Sequence, residues 1–171
     1  MAGSRTFGGE SAYYLRDVYV PRLQRALAAL PEGDLWWRPH DGCLSVGTVL
    51  LHLEGNVRQW VLSGLGGIPD ERDRAGEFAA TATGTATDLM ARLADTVTQA
   101  AALLDELGPD DEGRTLVIQG YDTNLRDAVY HVVEHFSWHT GQVVWISKAR
   151  AGVDHDVAFY DDAKINAAKN G

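Results

Sequence analysis

Three of the six histidines of this chain lie four residues apart, in the segment YHVVEHFSWHTGQ at positions 130–142. In an α-helix, His131, His135 and His139 fall within a wedge of about 80°, and the outer two are separated by about 12 Å along the axis. A single metal ion does not comfortably reach both ends of such a row. Two neighbouring histidines four residues apart can converge on one ion, so the row contains two candidate metal-binding pairs.

The upper pair lies in HVVEH, where His131 and His135 match the H-x-x-E-H pattern of inverted zinc proteases with Glu134 as the base. That chemistry requires a further carboxylate ligand well downstream. No glutamate follows position 134 in the chain. We therefore interpret the H-x-x-E-H match as accidental.

The lower pair is His135 and His139, with Gln142 on the same face, where its amide can orient a ligand or a bound water. A catalytic zinc-type site uses three protein ligands and keeps one position open, so a third donor is expected from another helix. The best candidate is His52 in VLLHLEGNVRQW, because Asn56 adds a second polar group to its face one turn later.

Simpler interpretations of these histidines remain open from the residues alone. A lone histidine among apolar residues, as at position 52, is more often a core side chain satisfied by hydrogen bonds. The row at 131, 135 and 139 can equally be a solvated polar stripe, or it can stack on the neighbouring Phe136, Trp138 and Trp145.

Four segments with a helical period of apolar residues carry these positions, and Gly, Pro or Asp clusters separate them. They are predicted at about 11–30, 45–65, 85–107 and 124–150. Ser45 is a suitable N-cap, Gly152 a suitable stop, and Pro21 should kink or restart the first helix. TLVIQGYD (115–122) is predicted to be a short extended or turn segment.

These elements predict an all-α fold, a four-helix bundle in a single domain over 1–171 with a loose polar tail from about 153. The links at 66–84 and 108–122 permit a long crossover connection. With one cysteine, Cys43, the chain has no internal disulfide and no multi-cysteine metal site. We expect Cys43 to be partly buried and unreactive, and His40 to be an ordinary surface residue.

The charge and hydropathy patterns exclude several kinds of partner. The formal net charge is -9, and no basic stripe is present, so nucleic-acid binding is not expected. The N-terminus has no apolar core of signal-peptide length, and no uninterrupted apolar run of about eighteen residues occurs. The expectation is a soluble cytoplasmic protein that does not bind a membrane and acts on a small molecule.

Two stretches, LLHLEGNVRQW and HVVEHFSWHTGQ, make the chain resemble the DinB family of metalloenzymes, also described as the DinB/YfiT-like fold. The resemblance covers roughly residues 10–150. LWWRP, SVGTVLLHLEGNVRQW and DERDRAGEF further resemble an uncharacterised subgroup of that superfamily. The resemblance implies a four-helix bundle with a long crossover connection and a homodimeric assembly.

Carried over position by position, the metal triad of the family falls on His52, His135 and His139. His131 would then lie beside the metal site or at its mouth. Gln142 and Asn56 would contact the ligands and orient them without binding the metal. Imidazole ligands suit zinc, nickel, iron and copper alike, and zinc or nickel is the expected metal.

Characterised members of the family activate the thiolate of a low-molecular-weight thiol such as mycothiol or bacillithiol, so the resemblance implies a metal-dependent thiol S-transferase. A metal-dependent hydrolase and a non-catalytic, metal-stabilised dimeric bundle are the alternatives. A guanidinium in DERDRAGEF, from Arg72 or Arg74, is a candidate for binding the carboxylate of the thiol cofactor, although a solvated loop is the simpler interpretation.

Overall fold

The computed structural model describes residues 5–153, 155–160 and 167, and the described chain is predominantly helical with one small antiparallel sheet. The α-helices are α1 (Phe7–Tyr13), α2 (Val20–Ala29), α3 (Val46–Val57), α4 (Arg74–Ala79), α5 (Ala86–Asp105) and α6 (Leu125–Ala151). The strands are β1 (Thr115–Ile118) and β2 (Tyr121–Asn124). The predicted polar tail lies largely at 154, 161–166 and 168–171, outside the described residues.

A π-helical turn at Tyr14–Tyr19 joins α1 to α2, so the first helical segment begins four residues earlier than predicted and α2 begins at Val20, next to Pro21. The Val20 amide donates to the Leu15 carbonyl, five residues back, and α2 restarts from this wider turn. Because proline has no amide to donate, it is tolerated where a helix starts anew.

Local caps fix where the helices that carry the histidines begin. The Ser45 hydroxyl accepts from the Thr48 amide at 3.1 Å, and the Asn124 side chain accepts from the Asp127 amide at 2.9 Å. The predicted cap at Ser45 is confirmed, as is the predicted stop at Gly152, which has a φ of 79°. Because the caps fix the residue at which α3 and α6 begin, they also help to fix the side of each helix on which its histidines lie.

Two elements were not resolved by the sequence pattern. The segment TLVIQGYD forms a hairpin in which Ile118 pairs with Tyr121 and Thr115 with Asn124. Helix α4 lies in what was predicted to be a polar loop, where Asp73 caps it by accepting from the Gly76 amide at 2.9 Å. Six residues are too few for an apolar period to indicate a helix.

The core forms where the long helices meet, with α3 packed against α5 and α6, and α2 packed against α6. Leu23, Leu53, Leu93 and Phe136, one from each of these helices, are fully buried. This packing brings the polar face of α3 against that of α6. Within the described residues, none of the helices has both the length and the apolar character needed to cross a membrane.

Candidate metal centre

His52 of α3 meets His135 and His139 of α6 in one cluster, in which one ring nitrogen from each histidine lies within 4.8 Å of the others. The Nε2 atoms of His52 and His135 are 3.0 Å apart. His52 is 6% exposed and His139 is 8% exposed, so the cluster is largely shielded from solvent. The structure therefore brings together the three residues that the sequence singled out as metal ligands.

The ring of His52 is held from behind by a buried ion pair on α4 and the loop before it. Its Nδ1 lies 3.0 Å from Oε2 of Glu77, and Arg72 binds the same carboxylate through Nε at 2.6 Å and Nη2 at 2.8 Å. Burial raises the pKa of Glu77, but the hydrogen bonds from Arg72 and His52 outweigh it and hold that pKa below its usual value. Nη2 of Arg72 also lies 3.1 Å from Nδ1 of His52, but it makes its shorter contact, at 2.8 Å, with the Glu77 carboxylate. With Nδ1 donating to that ionised carboxylate, Nε2 of His52 has a lone pair that faces the cluster.

The ring of His139 is held by Gln142, whose side-chain oxygen Oε1 lies 2.7 Å from Nδ1. An amide oxygen only accepts, so Nδ1 carries the proton and Nε2 of His139 is free to bind a cation. This is the orienting role that the sequence predicted for Gln142.

The third ring, His135, has no such support. Its Nδ1 is buried and has no hydrogen-bond partner among the described residues. Burial, together with the positive charge that His139 and His52 would carry, lowers the pKa of His135 to about 3, and burial also lowers the pKa of His139. Neutral imidazoles are the form that binds metal.

The donor set fits a divalent metal ion. With the Nδ1 proton of His52 committed to Glu77, the Nε2 lone pair of His52 lies 3.0 Å from Nε2 of His135, which donates a hydrogen bond across this contact when it carries the proton of the neutral ring. A cation that takes the place of this proton would be bound by both nitrogens. Three nitrogens without a charged ligand leave coordination space for a further group, as in catalytic zinc-type sites. A buried carboxylate behind one ligand and an amide behind another are the usual supports of such sites.

The remaining predicted residues lie around the cluster. His131 is not part of the triad: its ring packs on Trp60 with centroids 4.3 Å apart, and its centroid is 5.5 Å from that of His135. Asn56 is 4% exposed, and its Oδ1 has no partner among the described residues. Glu134, the base of the H-x-x-E-H pattern, is exposed to solvent.

The Arg72–Glu77 pair was missed by the sequence analysis, and it gives Arg72 a role other than cofactor binding. Its guanidinium is 3% exposed and also donates from Nη1 to Oε1 of Gln59 at 2.9 Å. Arg74 instead lies over the ring of Phe78, 4.7 Å from its centroid. Gly55 is a sequence feature that could have indicated this pair, because a glycine inside a helix often marks a close approach by another group. In the structure, a side chain at Gly55 would overlap the Glu77 carboxylate.

The lowered pKa of His135 predicts how the metal-free protein responds to acid. Between pH 6.5, the ordinary pKa, and about 3, the unfolded chain binds a proton at this histidine that the folded chain does not. The free energy of unfolding therefore falls as the pH drops through this window and is fully restored above it. Thermal unfolding in chelator should give a melting temperature that decreases from about pH 7.5 to about pH 5, with a shallower decrease in His135→Asn. An identical slope in the variant would contradict the assignment.

These features define a helical protein with a buried three-histidine cluster that can hold a metal ion. The chain belongs to the family described as Protein of unknown function (DUF1572), whose family model matches residues 14–157. The matched region contains the three histidines and the Arg72–Glu77 pair. Comparisons with curated proteins and with solved structures gave no match.

Proposed function

We propose that this protein is a metal-dependent enzyme of the DinB/YfiT-like type that transfers or activates a low-molecular-weight thiol. His52, His135 and His139 would bind one divalent ion, zinc or nickel. The observation that carries the proposal is the arrangement of the rings, in which Glu77 and Gln142 hold two Nδ1 atoms so that the opposite nitrogens face one point. The resemblance of LLHLEGNVRQW and HVVEHFSWHTGQ to DinB proteins supports thiol chemistry over other reactions at such a centre.

The same resemblance supports proposals for the helix arrangement, the oligomeric state and the cellular location of the protein. The helical stretches 7–29 and 46–63 would form a four-helix bundle with α5 and α6, linked by a long crossover. We further propose that the protein is a cytoplasmic homodimer acting on a small molecule.

When bound, the metal would supply Lewis acidity that lowers the pKa of a thiol at its open position, because three neutral imidazoles do not cancel its charge. The protein itself would orient the histidine ligands and keep water away from the site. Glu77 holds His52, Gln142 holds His139, and the low exposure of both rings limits access of water. In the reaction, the thiol would pass its proton to solvent, and its sulfur would form a bond to an electrophilic carbon while that carbon loses a leaving group or its double bond opens.

The test is a conjugation assay with zinc-loaded or nickel-loaded protein, small thiols including mycothiol and bacillithiol, and model electrophiles. We expect metal-dependent formation of the thiol conjugate, detected by mass spectrometry, which His139→Ala abolishes. Using Cys43→Ser protein removes the single cysteine of the chain as a competing thiol. Ester hydrolysis without conjugation would favour the hydrolase instead, and metal-dependent stability without turnover would favour the structural role.

A further inference from the structure

A cavity of about 600 Å³ lies beside the three-histidine cluster, between the loop that precedes α3 and the last turns of α6. Leu44, Val49 and Ile146 contribute apolar lining, and Cys43 and Gln142 contribute polar groups. None of the described residues that line it carries a charge. Size and lining are typical of a small-molecule site, which is mostly apolar with a few polar groups.

Two lining residues connect this cavity to the cluster. Gln142 binds Nδ1 of His139 at 2.7 Å, and Trp138 stacks on the same imidazole with the ring planes 14° apart. A molecule in the cavity therefore lies one residue from His139. Through Gln142, the cavity lies on the Nδ1 side of His139, one imidazole ring away from the nitrogen proposed to bind the metal.

The side chains that α6 contributes to the cavity indicate which kind of chemical group the cavity accepts. Trp138 and Trp145 are seven residues apart, hence on the same face of the helix, and both indoles are about two-thirds exposed, at 63% and 66%. Gly141 lies between them, and a Cβ there would meet nothing within 4 Å. The absence of a side chain at Gly141 leaves an open space on this face, the slot, and each indole beside it offers a ring face on which a flat ring can stack.

We propose that this cavity binds an uncharged aromatic ring carried by the small-molecule electrophile on which the histidine centre acts. The assignment of the ring to a substrate of that centre rests on the proposed function. The occupant is a small molecule because the volume of about 600 Å³ matches one, and because Gln142 and Trp138 join the cavity to His139.

The first experiment measures binding of the neutral fluorescent probe N-phenyl-1-naphthylamine to metal-free protein. Gly141→Leu fills the slot, whereas Gly141→Ala adds only a methyl group at the same position. Since a Cβ at this helical position meets no neighbour within 4 Å and both alanine and leucine are better helix formers than glycine, both variants should fold, which thermal unfolding verifies. We expect affinity for the probe to fall at least about tenfold in Gly141→Leu and less than about twofold in Gly141→Ala. Equal binding by Gly141→Leu and the unsubstituted protein would overturn the proposal.

The second experiment uses metal-loaded Cys43→Ser protein with one thiol and two electrophiles, 1-chloro-2,4-dinitrobenzene and iodoacetamide. In each, the thiol sulfur bonds to carbon, halide leaves, and the thiol proton passes to buffer. Gly141→Leu should lower kcat/KM at least about tenfold for the aromatic electrophile and change it less than about twofold for iodoacetamide. An equal loss for both, or a change in oligomeric mass by light scattering that reveals a second copy in the slot, would overturn it.

The two experiments distinguish failure of the aromatic-site proposal from failure of the proposed thiol transfer. Slot-dependent probe binding without conjugation of either electrophile would support the aromatic site and contradict thiol transfer. Conjugation that Gly141→Leu leaves unchanged would support thiol transfer and contradict the aromatic site.

Discussion

Replacing His139 or His135 by alanine is expected to reduce the affinity for zinc or nickel by more than about a hundredfold, beyond the 10- to 100-fold typical of losing a hydrogen-bonding support. Each substitution removes one of only three nitrogens that converge within 4.8 Å. The two histidine nitrogens that remain would bind the ion much more weakly than three. Competition with a chromophoric chelator would measure the dissociation constants.

The chain offers a matched control in His131→Ala, from the same row of the same helix. Its ring packs on Trp60 and is not in the cluster, so affinity should change by less than about twofold. A loss in His131→Ala as large as in His139→Ala would place the metal at the upper pair instead. Retention of full affinity in both His135→Ala and His139→Ala would rule out the cluster.

Replacing Arg72 by methionine is expected to lower the free energy of unfolding by about 3–5 kcal/mol, the cost of leaving one partner of a buried ion pair uncompensated. The side chain of Arg72 is 3% exposed and that of Glu77 is 10% exposed, so water does not replace the lost guanidinium. Methionine replaces the apolar part of the arginine side chain, so the variant removes the guanidinium together with its charge and its hydrogen bonds to Glu77 and Gln59. Urea unfolding of the metal-free protein would give the free energy.

Arg74→Met is the control for this substitution, two residues further along the chain. Arg74 is exposed and contacts the ring of Phe78, so its loss should cost no more than about 1 kcal/mol. An Arg72→Met variant as stable as Arg74→Met would show that the Arg72–Glu77 pair does not stabilise the fold. In that case Glu77 would also not be expected to fix the orientation of His52.

The parts of the structure that depend on local chemistry could be predicted from the sequence. Ser45 and Asn124 are side-chain caps that act within three residues, so the starts of α3 and α6 follow directly from them. The common face of His135, His139 and Gln142 follows from helical spacing alone. Even the extended character of TLVIQGYD could be predicted, although its pairing as a hairpin could not.

The parts that depend on distant partners could not be predicted in this way. The Arg72–Glu77 pair reaches His52 across 25 residues of chain, and neither residue has a distinctive spacing from the histidine. His52 itself became a candidate through Asn56 on its face and through the DinB resemblance, not through any contact visible in sequence. Its position opposite α6 is a result of tertiary packing.

One local contact was available to the sequence analysis and was overlooked. His40 was predicted to be an ordinary surface residue, and Cys43 to have no activating neighbour. In the structure His40 Nε2 lies 3.3 Å from Cys43 Sγ, and His40 Nδ1 accepts from the Gly42 amide at 3.1 Å. Since that acceptor nitrogen is unprotonated, a neutral His40 carries its proton on Nε2 and directs it at the sulfur. Three residues within one turn are close enough for spacing to have indicated this contact.

X-ray absorption spectroscopy on protein loaded with one equivalent of zinc tests the central claim most directly, because it observes the ligands of the ion themselves. The account predicts stoichiometric uptake and a shell containing three imidazole nitrogens at about 2.0–2.1 Å. It further predicts that His52→Ala reduces the imidazole contribution while His131→Ala leaves it unchanged. Failure to take up zinc or nickel, or a shell without histidine, would contradict a metal centre formed by His52, His135 and His139.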